Sequence, residues 1–380
     1  MRDLHSYPSG KTNRFQIYSI TGILVTFEPS IKLNSMRKDV YYGEYLQLQK
    51  ILDAQYPESD KEGIDAHDEM LFIIIHQSYE LWFKQIIHEL KSIHSIFKKN
   101  EINDNSPDLY QVVHRLKRIG TILDVAVHQL SIMETMTPLD FLDFRNLLRP
   151  ASGFQSIQFK IVEAMLGLKL EHRFGKEYYV SQLNAADKET IRMTEENTSV
   201  IEELNKWLER MPFADDNGLW EGFKASHGDR NNFWQDYKLA YKASLTHGET
   251  ENVERFEKLF FDKDFVANRR FSNKANRAAL FIMLYRDYPI LQLPYQLLNQ
   301  LLEIDELLSL WRYRHMNMVH RMIGMRVGTG GSSGKDYLKS ALDKHYIFAE
   351  IAELNSFLIE RRNLPALPID LEKRLGFVHQ

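Results

Sequence analysis

The 380-residue chain contains no cysteine. Disulfides, thiolate metal centres and cysteine nucleophiles are thereby excluded. A metal or haem iron held by this chain must take its protein ligand from His, Asp, Glu, Tyr or Met. Glycine and proline are scarce, at 18 and 11 residues, where ordinary usage gives about 46 together at this length. That deficit argues against all-β and loop-rich folds and favours helix. No apolar run approaches the roughly 18 residues that a membrane helix needs. The nearest N-terminal stretch, 17–27, is interrupted by Ser19, Thr21 and Thr26, and no small-residue cleavage site follows it. A soluble cytoplasmic protein is the expectation. An excess of positive charge is also missing: 48 Lys and Arg face 52 Asp and Glu, a formal net charge of −4. This is not the basic footprint of a nucleic-acid binder. What the chain does have is 44% hydrophobic and 12% aromatic residues, enough for a sizeable core and too much for disorder.

The apolar residues are spaced for helices. Residues 1–38 mix Ser, Pro, Gly, Lys and Arg without a sustained period and read as a poorly ordered tail. From Val40 onward the pattern turns helical. Leu71, Phe72, Ile75, Tyr79, Trp82, Phe83, Ile86 and Leu90 recur every three to four residues and predict one long amphipathic helix over 68–97. A second is predicted over 109–133. Pro138 suits the first turn of a short helix to Leu148, closed by Pro150. Ser152 is a candidate cap for a helix through Leu166, with Gly167 near its end. The composition becomes richer in charge and Asn over 176–269, which reads as a smaller helical insertion into a core of 39–175 and 270–362. Helices are expected there near 200–211 and 234–244. Apolar helices resume at 275–284 and 293–325. A Gly/Ser loop at 328–334 and a last helical pair to about Arg361 follow, then a C-terminal tail over 363–380. The fold class expected is all-α.

Few constellations carry chemistry on their own. The loop Gly328-Thr329-Gly330-Gly331-Ser332-Ser333-Gly334-Lys335 is not a P-loop: Thr329 stands where the first Gly belongs, Asp336 where Ser or Thr belongs, and a helix precedes it. Its glycines indicate a flexible linker or a close approach to a ligand. None of the 14 histidines forms an HExxH or an i, i+4 pair, so a zinc site is poorly supported. His76 sits on the apolar stripe of the first long helix. His315 shares a helical face with Trp311, Met318 and Met322. Each is either a satisfied core histidine or, in a chain without Cys, a candidate for the iron of a haem. Arg145 shares a face with Phe141, four residues before it. It is either a solvated partner of an acid such as Asp143 or a fork that clamps a carboxylate. Tyr41, Tyr42 and Tyr45 are packing residues or a small aromatic cluster with a role.

Taken together, several long motifs resemble the tryptophan 2,3-dioxygenase family. They are Tyr42-Gly43-Glu44-Tyr45-Leu46; His67-Asp68-Glu69 through Phe72 and His76 to Tyr79-Glu80-Leu81-Trp82-Phe83; Glu134 through Pro138 to Phe141 with Phe144-Arg145; Pro150 through Ser156; and Trp311 through His315 to Gly324 and the loop beyond. The resemblance spans about 41–361, in order and in spacing. It implies an all-α haem b enzyme, one haem per subunit, that forms homotetramers. The reaction it implies inserts both atoms of O2 across the indole C2–C3 bond of L-tryptophan to give N-formyl-L-kynurenine. It further implies His315 as axial iron ligand with Trp311 beside the haem, and Ser152 and Gly153 lining the distal face. His76 would bond the indole N–H, within a substrate wall formed by Phe72, Ile73, Ile74, Ile75 and Phe141. Arg145 would take the substrate carboxylate and Thr329 its ammonium and carboxylate end. Tyr42, Tyr45 and Leu46 would close the pocket of a neighbouring subunit. The departures are Ser78 in place of Ala, Ile75 in place of Thr and Lys160 in place of Arg.

Overall fold

A computed structural model describes residues 39–99, 107–173, 182–214, 218–229, 231–324, 326 and 345–376. The tail 1–38 and the Gly/Ser loop with Thr329 lie outside the described residues. All regular structure among them is helical, so the chain is all-α. It divides into two compact units, one ending at Ala54 and one beginning at Gln55.

The described part of the first unit is two short helices, α1 (Tyr42–Tyr45) and α2 (Leu48–Leu52). Gln47 joins them with a positive φ of 52°, and its side-chain amide donates to the Glu44 carbonyl. Neither helix buries a residue.

The second unit opens with α3 (Glu58–Glu62), α4 (Asp68–Phe97), α5 (Pro107–Met133), α6 (Pro138–Arg145) and α7 (Ile157–Leu166). Its middle holds α8 (Ala185–Glu196), α9 (Val200–Glu209), α10 (Phe233–Ser244), α11 (Glu251–Phe261) and α12 (Lys263–Val266). It ends with α13 (Asn273–Leu284), α14 (Pro289–Ile323), α15 (Ala349–Leu354) and α16 (Ile369–Arg374).

The frame is set by three long helices. α5 packs along both α14 and α4, and α7 packs on α4. The α4 stripe buries Ile75, Tyr79, Phe83, Ile86, Leu90 and Ile93, at the spacing the sequence predicts. Each fully buried side chain of this size stabilises the fold by about 1.5–3 kcal/mol. Glu69, at the start of α4, is itself buried and accepts the backbone N–H groups of Glu58 and Ser59, both at 2.9 Å. It thereby satisfies the otherwise orphaned donors at the start of α3.

The middle helices do not build a core of their own. Trp207, Phe233, Tyr237 and Phe256 belong to the same apolar cluster as Ile86 and Leu116. The C-terminal stretch also returns to it. Leu371 and Leu375 are fully buried, the first of them on α16. Three boundaries differ from expectation for local reasons. Pro289 occupies the first turn of α14, so the helix starts four residues before Leu293 and carries Pro294 in its second turn. Ser152 caps a short 3₁₀ turn instead of α7, and Ser156 caps α7. α6 ends at Arg145, and Asn146 to Arg149 continue only as turns.

Candidate active site

Four elements converge on one site: α4, α6, α14 and the turn that precedes α7. α4 supplies Phe72 and His76, one turn apart, with ring centroids 4.1 Å apart. α6 packs on α4 and α14 and brings Phe141 to 5.7 Å and Phe144 to 5.6 Å from Phe72. The start of α6 is fixed by a reciprocal cap. The Thr137 hydroxyl accepts the Asp140 N–H, and the Asp140 carboxylate accepts the Thr137 N–H. Pro138 sits in the first turn, where its missing N–H costs nothing.

His76 is fixed chemically as well as sterically. Its Nδ1 lies 2.7 Å from the carbonyl oxygen of Phe72. A carbonyl only accepts, so Nδ1 carries the proton and Nε2 offers a lone pair. The ring keeps solvent access although protein crowds around it, and this desolvation lowers its pKa against the opposing pull of the Phe72 carbonyl and Glu80. The neutral acceptor is thus the form favoured at neutral pH.

α14 presents His315 parallel to Trp311, with centroids 5.0 Å apart and ring planes 4° apart. Trp311 is held in turn by Phe159 at 5.0 Å and, edge on, by Tyr79 at 6.1 Å. The Tyr79 hydroxyl donates to the Ala126 carbonyl of α5. Burial, and secondarily the charge of His76, push the His315 pKa down to about 4. Its Nδ1 is buried without a hydrogen-bond partner among the described residues. A buried, neutral imidazole with an unmatched nitrogen suits a metal ligand.

Arg145 is only 4% exposed. Desolvation lowers its pKa, and the next contributions are the positive charges of Arg149 and Arg326. A crowded group of guanidiniums attracts an anion, and a carboxylate fits the fork of Arg145.

Ser152 and Gly153 stand on the turn before α7. The Ser152 hydroxyl accepts the Phe154 N–H. The turn is pinned to α4 just beyond, where Ser156 and Gln158 donate to the Glu80 carboxylate at 2.6 and 2.8 Å. A Cβ built on Gly153 meets no atom within 4 Å, so open space lies over it. The aromatic flank of His315 and its unmatched nitrogen fit an iron-bearing cofactor.

Ring contacts gather Phe72, His76, Phe141 and Phe144 into one group and Trp311 and His315 into another, and Arg145 lies one turn beyond Phe141 on α6. The structure does not gather everything the sequence nominated. Ile75 is buried in the hydrophobic core and Ile73 is half-buried, but Ile74 is 45% exposed. Two residues from both Phe72 and His76, Ile74 lies on the opposite side of α4. Tyr42, Tyr45 and Leu46 are exposed on the first unit. Of the departures, Ser78 donates to the Ile74 carbonyl on its own helix. Lys160 is buried, and its pKa is pushed down to about 8, foremost by desolvation.

Sequence reasoning missed Phe144, which is fully buried against both Phe72 and Phe141. It also missed Glu163, buried with Arg173 and Arg312 as its partners. An acid between Val162 and Ala164, in the apolar run that follows Lys160, was the available signal for the second.

Residues 30–358 match the family model described as tryptophan 2,3-dioxygenase. A tryptophan 2,3-dioxygenase of Alteromonas mediterranea is 43% identical over 91% of this chain and 100% of its own length. One from Dictyostelium discoideum is 42% identical over 92% and 91%. Tryptophan 2,3-dioxygenase B of Danio rerio is 40% identical over 88% and 86%. The chain belongs to the tryptophan 2,3-dioxygenase family.

Proposed function

We propose that this protein is a haem-dependent tryptophan 2,3-dioxygenase that converts L-tryptophan and O2 to N-formyl-L-kynurenine, the first step of the kynurenine route. Beyond family membership, the observation that carries the reading is the pairing of His76 and His315, one with a free acceptor nitrogen and one with an unmatched buried nitrogen. Haem b, one per subunit, supplies the O2 chemistry when bound. His315 would hold its iron, Trp311 would support that imidazole, and Ser152 and Gly153 would line the cofactor's pocket.

The chain's own residues bind and orient the substrate. L-Tryptophan is an apolar bicycle with a zwitterionic end. Phe72 and Phe141 pack on the indole. Arg145 takes the carboxylate through two parallel hydrogen bonds. Leaving that carboxylate unpaired away from water would cost several kcal/mol, so Arg145 dominates recognition. Nε2 of His76 accepts the indole N–H and fixes which edge of the ring faces O2. Thr329 receives the ammonium and carboxylate end. Tyr42, Tyr45 and Leu46 close the site of a neighbouring subunit in a homotetramer. Among the described residues no helix is long and apolar enough to cross a membrane, and we assign the enzyme to the cytoplasm.

The test is optical. Protein purified with haem is reduced and given L-tryptophan and air, and the formylkynurenine absorption band is followed. Growth of that band is the expected result. Haem binding without product would overturn the substrate assignment, and failure to bind haem would overturn the role of His315.

A further inference from the structure

One turn before His315 on α14, Arg312 belongs to a buried ionic group. Glu163 of α7 is 4% exposed and Arg312 of α14 is 5% exposed. Arg312 Nη2 donates to one carboxylate oxygen at 2.6 Å, and Arg173 Nη1 donates to the other at 2.7 Å. Arg312 also reaches the His345 carbonyl with Nη1. It stands three residues before His315, about one helical turn.

The same face of α7 makes a second contact with α14. Phe159, one turn before Glu163, packs on Trp311, which stacks on His315. α7 thus grips the two residues of α14, Trp311 and Arg312, that lie one turn from His315. Arg173 and Arg312 both bond the Glu163 carboxylate, with Lys160 and His345 also close to it; Glu195 also acts on Arg173 and Asp305 on Arg312. Asp305 of α14 lies two turns before Arg312, and its carboxylate accepts the backbone N–H groups of Ile347 and Phe348. Burying an ion pair adds little net stability compared with apolar packing, so stability alone is a weak reason for this group.

We propose that Glu163 is a positioning residue for His315: its carboxylate anchors the turn of α14 before that histidine through Arg312 and offsets the buried positive charge there. The proposal rests on the reading of His315 as axial ligand. Its consequence is electrostatic. Oxidised haem iron carries one more positive charge than reduced iron. Removing the Glu163 charge takes away the carboxylate that both guanidiniums bond and disfavours the oxidised form; removing a cation does the reverse.

The test uses the haem-loaded full chain. An iron–imidazole stretching band in the ferrous wild-type resonance Raman spectrum establishes the axial reading before any variant is made, and its absence would refute that reading by itself. Spectroelectrochemical titration then compares wild type with Glu163→Gln, Arg173→Met and Glu163→Asp. At a fixed applied potential, Glu163→Gln is expected to be several-fold more reduced than wild type and Arg173→Met several-fold less. Glu163→Asp, which keeps the charge, is expected to titrate with wild type. A mere loosening of the fold would move Glu163→Gln and Arg173→Met in the same direction. Shifts of the same sign, or no shift in either, overturn the proposal. Should Glu163→Gln fail to take up haem, Arg173→Met against Glu163→Asp decides: a lower potential in the first alone supports the proposal, and any other order overturns it.

Discussion

Phe72 holds His76 twice, by its carbonyl oxygen 2.7 Å from Nδ1 and by its ring 4.1 Å from the imidazole. The backbone contact sets the tautomer and the ring contact sets the tilt. A residue named by the family resemblance as a wall of the substrate pocket thus also decides which nitrogen of His76 can accept a proton donor.

His76→Ala is predicted to slow turnover about 10- to 100-fold, the equivalent of losing a hydrogen bond of roughly 1.5–3 kcal/mol. Haem content should stay at the wild-type level. Steady-state rates with parallel haem quantitation check this, and loss of haem along with activity would count against the assigned role.

Arg145→Leu removes the fork and leaves the substrate carboxylate without its partner. A loss of about 2–4 kcal/mol is expected, or roughly 30- to 1000-fold in kcat/KM. Substrate titration of the haem spectrum separates binding from chemistry. An unchanged KM together with an unchanged kcat would refute the clamp.

The pH dependence follows from the lowered pKa of His76. The neutral acceptor form persists as pH falls through 6.5, the ordinary value, and is lost only below it. The acid limb of kcat/KM is therefore expected below pH 6.5 and should vanish in His76→Ala. An acid limb centred above pH 7 would contradict the burial argument.

Thr137→Ala breaks the reciprocal cap that starts α6. Such caps contribute about 1 kcal/mol. Because α6 carries Phe141 and Arg145, KM should rise while kcat changes little. Thermal unfolding and steady-state kinetics on one preparation test both halves.

Gly167 ends α7 with a φ of +131°, and a Cβ there would sit 2.5 Å from Ile201 Cγ2. Gly167→Ala combines backbone strain with a clash and should destabilise the fold by about 1–3 kcal/mol. A urea midpoint equal to that of wild type would show that α7 and α9 can part without cost.

The long helices were legible because burial imposes a period on them. Residues 68–97 were predicted from apolar spacing, and α4 has those bounds. The start of α14 was not legible from spacing, since Pro289 and Pro294 interrupt the signal that Leu293 begins. The site was legible only in part. His76, Arg145 and His315 each had an ordinary structural reading, and spacing alone could not choose between that and chemistry. Contacts between separate helices decide such choices, and a sequence does not print them. Glu163 shows the limit most clearly, for its partners lie 10 and 149 positions away.

Asp305 and Arg312 of α14 grip Ile347, Phe348 and the His345 carbonyl, while α14 itself runs on to Ile323. Departure and return of the intervening chain are thus moored to a single helix. Doubling the length of such a connection adds only about 0.6 kcal/mol of closure entropy. A change of length between these two anchors is therefore expected to leave the melting temperature nearly constant.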